Sequence, residues 1–318
     1  MTTYATPPGA PPANLIVDTV EGMGYWPARS LVLILRELSG QHCLSARFDI
    51  ADVMAEPSAW AEYFEAVTRN TGAAWSDVLV FGPVSPSDCQ VAVVAAEMLT
   101  AADVEIRAAV VVNRRDDEFT WASLLDDVPE EGTDQWQVLP WPTDPDRPSA
   151  WRRTRDDLVG EVTGSVPGWL RAASGDLDET HRDLAISQML ARLCDGDDSG
   201  DEALLLAGLA DLRARDTLLW EILGRPAAQW GPAADRLLGT VRRAAPGSAA
   251  PAATVLAILR WQQGDGTRAG IAVDRALADD PDYTLAQLVD GCLRAGITPS
   301  AWREGLRSLT REQCRRPA

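Results

Sequence analysis

Residues 30–36 read SLVLILR, five unbroken apolar positions between a serine and an arginine. Such a run is short for a helix and shows no alternation, so it predicts a strand buried on both faces. Ser39-Gly40 then marks a turn. Beyond it Cys43–Ile50 (CLSARFDI) alternates: Leu44, Ala46, Phe48 and Ile50 face one way, Ser45, Arg47 and Asp49 the other. This predicts a half-buried strand, hairpin-paired to the first. Upstream, Asn14 is placed to cap a short helix through Leu15, Ile16 and Val20, which Gly22, Gly24 and Pro27 end.

Downstream the pattern changes period. Trp60, Phe64 and Val67 fall at i, i+4 and i+7 within Pro57–Asn70, one face of a helix. Val78–Phe81 predicts another buried strand. Ser87 and Asp88 open a helix through Val91, Val94, Ala95 and Met98. Val104–Val112 predicts a strand, with Phe119–Trp121 pairing to it across 113–118. The order implies an α/β domain, a mixed sheet with covering helices on at least one side. Residues 130–148 carry Pro140, Pro142, Pro145 and Pro148, and beyond them the signals are helical. Predicted helices cover 151–163, 176–194, 201–212, 217–223, 232–244, 250–262, 267–279, 284–293 and 299–309, separated by short turns. The expected division is a flexible tail at 1–12, an acidic α/β domain at 13–129, a Pro/Trp-rich linker at 130–150 and an all-α domain at 151–318.

Gly264, Ala269, Ala276 and Pro281 are spaced by five, seven and five residues. A tetratricopeptide repeat places glycine at its inter-helix turn, small residues where its helices cross and proline after the second helix. Ala257 suits the crossing, whereas Ala253 and Arg260 stand where aromatic residues are expected. The all-α domain is thus read as partly tetratricopeptide-like. No second copy of the pattern is evident, which favours a compact helical domain over an extended peptide groove.

The 318 residues, length for about two domains, carry 47 acidic and 29 basic side chains and a formal charge of −18. Residues 1–150 hold 23 acidic and 8 basic groups; residues 151–318 hold 24 and 21. Such acidity repels phosphate backbones and anionic membrane surfaces, so no nucleic acid and no membrane is expected as partner. Every basic side chain apart from two histidines is arginine, which excludes a Walker-A lysine, a Schiff-base lysine and an S-x-x-K nucleophile. The five cysteines lack metal-ligand spacing and are odd in number. Residues 1–14 lack the charged and apolar regions of a secretory signal, and no window offers about 18 uninterrupted apolar residues. These features predict a cytoplasmic protein. The arginine bias with abundant alanine, glycine and proline points to a GC-rich bacterial coding sequence.

The chemistry candidates are few. The acidic run 195–202 sets Asp195, Asp197 and Ser199 at calcium-loop positions 1, 3 and 5, yet Leu206 stands where the bidentate glutamate belongs. An inter-helix loop is the better reading, and no metal or cofactor is expected. His181 lies among Asp178, Glu179 and Asp183, without a G-x-S-x-G elbow to supply a nucleophile. His42 adjoins Cys43, but neighbouring strand residues point to opposite faces. Trp121, Trp136, Trp141 and Trp151 cluster around the expected domain junction, where such rings form a ligand pocket or partner surface or glue two domains together; glue is the preferred reading. Arg114, Arg115, Arg152, Arg153 and Arg155 lie close in sequence, suited to an anion or to answering the acidic first domain.

The stretch WQQGDGTRAGIAVDRALADDPDYTLAQLV at 261–289, followed by AGITPSAWR at 295–303, resembles an actinobacterial family, domain of unknown function 4192. Shorter matches lie at Ser30–Ile50 and Val104–Gly132, the latter through Trp121-Ala-Ser123-Leu124 and Pro129-Glu130-Glu131-Gly132. Family members often carry a cysteine cluster between those last two elements. Here Leu125-Asp126-Asp127-Val128 has none, so a metal or redox role of that cluster does not carry over. The resemblance implies an architecture and a host, and no activity. The sequence therefore favours a non-enzymatic interaction or regulatory protein, with another protein as its partner. The alternative is an enzyme or small-ligand domain with a pocket at the carboxyl ends of the sheet strands, near Arg36, Gly82 and Asn113.

Overall fold

The computed structural model describes residues 12–83, 85, 88–115, 118–125, 136–140, 150–164, 168–172, 177–197 and 200–315. The expected tail lies outside these residues except for Pro12, as do Trp141 and most of the proline-rich segment. The chain forms two compact units: a sheet unit of residues 2–155 with 295–298, and a helical unit of 156–294 with 299–318.

Six strands build the sheet: β1 (Ser30–Arg36), β2 (His42–Asp49), β3 (Trp75–Phe81), β4 (Glu105–Arg115), β5 (Glu118–Ser123) and β6 (Gln137–Pro140). Their spatial order is β2-β1-β3-β4-β5-β6. Only β3 and β4 run parallel; the other pairs are antiparallel. The parallel pair requires a crossover, and α4 (Gln90–Ala101) supplies it. Strand β1 is buried at all seven positions and β3 likewise, which explains why neither alternates in sequence.

The sheet is covered on both faces. Leu31, Leu33, Leu35, Val78, Val80, Ala109 and Val111 share one core with Phe64 of α3 (Pro57–Thr71) and with Val91 and Leu99 of α4. Ile50 and Val53 of α2 (Ile50–Ala55), a helix too short to show a sequence period, join the same core. On the other face Leu79, Phe81, Val110 and Val112 are buried, as are Ile16 and Val20 of α1 (Pro12–Met23). Trp151 is fully buried here, stacked on Phe119 at 5.0 Å and lying 5.7 Å from Trp26. It belongs to the core of the sheet unit. Residues 137–140, read from sequence as linker, are instead the last strand of the sheet. An edge position tolerates the missing N–H of Pro140, so the prolines concealed a strand.

The helical unit contains α5 (Arg155–Thr163, its first residue counted with the sheet unit), α6 (Glu179–Leu190), α7 (Glu202–Ala210), α8 (Leu212–Gly224), α9 (Trp230–Arg243), α10 (Ala250–Gln262), α11 (Gly266–Asp279), α12 (Thr284–Arg294), α13 (Pro299–Arg307) and α14 (Arg311–Arg315). A π-helical turn, Ala191–Asp195, ends α6. Its described β-structure is one isolated bridge, Leu170 to Ala244. The all-α reading holds for this unit. Between α10 and α11 the chain reverses through Gly264 at φ +84°, a conformation that costs an L side chain strain. Ala257, Ala269 and Ala276 are completely buried and Pro281 follows α11. Among the described residues no helix is long and apolar enough to cross a membrane.

Candidate functional site

The three residues expected to line a sheet-edge pocket do not meet. Strands β3 and β4 are parallel, so Gly82 and Asn113 reach the same edge, where Gly82 N donates to Val112 O at 2.7 Å. Strand β1 runs against both, and its last residue, Arg36, pairs with Trp75 at the opposite edge. Strand direction is not written in strand composition, and the sequence reading assumed the wrong one. The Gly82 edge is also occupied. Trp26 Nε1 donates to Gly82 O at 3.4 Å, and its ring meets Phe81 edge-on at 5.2 Å.

Arg36 belongs to a buried charge cluster. Only 2% of it is exposed, its Nε is 3.7 Å from Asp77 Oδ2, and its guanidinium lies over Trp75 at 5.3 Å. Arg107 lies over the same ring at 4.4 Å. Burial drives the Asp77 carboxyl up to about 6, while Arg36 and Arg107 pull it back. Burial and then the Arg36 charge push His42 down to about 4; its Nε2 is 2.9 Å from Ser45 Oγ. Burial and the Glu37 charge raise the neighbouring Cys43 thiol to about 11, and burial also raises Cys89, Cys194, Cys292 and Cys314. All five therefore stay as thiols at neutral pH, the weakly nucleophilic form.

The acidic run at 195–202 is used for structure. Asp201 caps α7 by accepting from Ala203 N at 2.8 Å, and Glu202 pairs with Arg192 and Arg243. Asp195 pairs with Arg225 at 3.3 Å. Asp198 and Ser199 lie outside the described residues. Among the described residues no group of three or more histidine, cysteine or acidic side chains is placed to hold a metal. His181 is exposed in the first turn of α6, its backbone N–H and its Nδ1 both 2.8 Å from the capping Asp178 Oδ1.

A cleft of about 770 Å³ opens instead in the helical unit, where α6, α8 and α14 begin. Leu177, Asp178, Glu179, Arg182, Arg213, Arg311, Glu312 and Arg315 line it. Three of the four arginines are held by carboxylates. Arg182 donates from Nε and Nη2 to the two oxygens of Asp211 at 2.9 and 2.8 Å, and from Nη2 to Leu177 O at 2.7 Å. Asp211 also caps α8, accepting from Arg213 N at 3.0 Å and Ala214 N at 2.9 Å. Burial opposes its ionisation, but the Arg182 fork and these N–H groups prevail and hold the carboxyl below its ordinary range. Arg311 Nε donates to Glu221 Oε1 at 2.5 Å, and Arg315 pairs with Asp183. Arg213 is different: among the described residues its guanidinium has no hydrogen bond or ion pair. Sequence reasoning missed this cleft because its arginines come from three separate helices, one only five residues long.

The model of the family described as Domain of unknown function (DUF4192) matches residues 16–136 and 137–300. No curated protein and no solved structure matches the chain. The first matched segment starts in α1 and spans β1 to β5; the second runs from β6 into α13, so the match covers most of both units. The chain belongs to the DUF4192 family.

Proposed function

We propose that the protein is a non-enzymatic interaction protein of the cytoplasm, whose helical unit receives a polar segment of a protein partner in the cleft bounded by α6, α8 and α14. The lining of that cleft carries the reading: seven of its eight residues are charged. Pockets of this size that take small organic ligands are mostly apolar with a few polar groups. Arginine clusters on a helical surface are the usual means of gripping a charged peptide segment. Guanidinium groups stay protonated across the physiological range, so this lining suits recognition better than proton transfer. The α10–α11 hairpin, read here as tetratricopeptide-like from its buried alanines and Gly264 turn, supplies a packed support within the same unit.

The test is site-directed crosslinking of the full chain in its native host. A photoreactive amino acid in place of Glu179, at the mouth of the cleft, should give one discrete adduct with another protein. The same amino acid in place of Arg69, exposed on the sheet unit, should not. No adduct, or identical adducts at both positions, would overturn the interaction reading.

A further inference from the structure

The cleft contains an arginine whose guanidinium is engaged by no other group among the described residues. Arg213 is the second residue of α8, two positions after the capping Asp211. A helix amino terminus carries partial positive charge, so a cation in the first turn is disfavoured there. Arg213 has no carboxylate or carbonyl partner among the described residues to offset this, unlike Arg182, Arg311 and Arg315 in the same lining. The neighbours also hold donors in reserve. Arg311 uses only its Nε, and Arg315 only its Nη2, in described hydrogen bonds. The lining thus offers one uncommitted guanidinium with further N–H groups from two others.

We infer that the cleft binds a single carboxylate-bearing side chain of an otherwise uncharged polar peptide segment, with Arg213 as the residue that forks onto the carboxylate. This rests on the interaction reading above and names the partner's chemistry. The charge inventory selects carboxylate over phosphate. Asp178, Glu179 and Glu312 also line the cleft, so a ligand of charge near −2 meets more repulsion than one of −1, and one free guanidinium neutralises one carboxylate. The planar fork of arginine matches both carboxylate oxygens at once. The chain's net charge of −18 does not forbid the encounter, because at physiological ionic strength charges beyond about 8 Å are screened.

The experiment titrates the full chain with a capped hexapeptide of one glutamate among five glutamines, at about 0.15 M salt, and reads binding by calorimetry. The glutamate peptide should bind saturably and a capped hexaglutamine should not. Arg213→Ala should weaken binding of the glutamate peptide at least about tenfold while the melting temperature holds or rises. Arg213→Lys, which keeps the charge and loses the fork, should recover only part of the affinity. Arg69→Ala should change nothing. Equal binding by wild type and Arg213→Ala would overturn the proposal, as would a folded wild-type chain that ignores the glutamate peptide. Tighter binding of the same hexapeptide with phosphoserine in place of its glutamate would overturn the choice of carboxylate. The two readings fail separately. A specific crosslink at position 179 without binding of the glutamate peptide removes the carboxylate assignment alone. Arg213-dependent binding without a crosslinked protein removes the interaction reading alone.

Discussion

Arg213 and Asp77 show how single side chains can work against the fold that carries them. An unpaired cation in the first turn of α8 costs about 0.3–1 kcal/mol, and alanine is the better helix former. Arg213→Ala is therefore expected to leave stability unchanged or raise it by that amount, measured by urea unfolding; a loss above about 1 kcal/mol would mean that the side chain supports the fold. Asp77 and His42 carry a pH signature. Asp77 titrates at about 6 instead of 3.8, so the folded state binds its proton more tightly and stability falls as pH rises through that window. His42 titrates at about 4 instead of 6.5, so the folded state resists protonation and stability rises with pH over nearly the same window. Each slope is at most about 1.4 kcal/mol per pH unit, and together they largely cancel. Unfolding free energy of the wild type should be nearly flat from pH 4 to 6 as far as this cluster contributes. Asp77→Asn should unmask a rising limb and His42→Gln a falling one, whatever either does to absolute stability. None of this was legible in the sequence, because burial at Arg36, Asp77 and His42 depends on strands that meet only in the folded sheet. What was legible was the absence of lysine and the place of the acidic run at 195–202 between two helices; that Asp201 caps α7 came only with the structure.

At the scale of elements, two contacts join segments of the helical unit that are distant in sequence. Helix α10 has no side-chain cap of its own at Ala249. Asp279, at the end of α11, reaches back and accepts from Gly247 N, Ala249 N and Ala250 N at 2.8, 2.7 and 3.0 Å. Asp279→Ala would leave these donors unpaired and should cost about 2–3 kcal/mol, read as a shift of the urea midpoint. Gly168 packs so closely that an added Cβ would lie 1.9 Å from the carbonyl oxygen of Ala244. Trp169 N and Leu170 N both donate to Arg243 O beside it, at 2.9 and 2.7 Å. Gly168→Ala must therefore displace backbone and is expected to lower stability by several kcal/mol; an unchanged melting curve would show that this crossing is dispensable. Elements with strong periodicity were readable. Strand β1 and helix α10 fall where SLVLILR and the apolar run at 250–262 placed them, and β5 pairs with β4 as the Phe119–Trp121 signal implied. The failures share a physical cause. Helices α2 and α14 are too short for a period to appear, and β6 was masked by prolines that an edge strand tolerates.

At the scale of the whole molecule, charge is partitioned: the first 150 residues hold 23 acidic and 8 basic groups, the rest 24 and 21. An acidic ligand is therefore repelled least by the helical unit, where the cleft lies. The two-part architecture was legible from the change of period near residue 150, whereas the meeting of Arg36 with Asp77, rather than with Gly82 and Asn113, was not. It follows from β1 running antiparallel to β3, a matter of chain direction on which apolar patterning is silent. The ion pairs themselves have one further consequence. Leaving the histidines aside, every ion pair among the described residues rests on guanidinium, as in Arg182–Asp211, Arg192–Glu202 and Arg311–Glu221. Lysine-based bridges discharge near pH 10, whereas guanidinium holds its proton beyond about pH 12. These internal bridges therefore persist in strongly alkaline solution, and amine-directed acylating reagents find no lysine ε-amine along the polypeptide to modify.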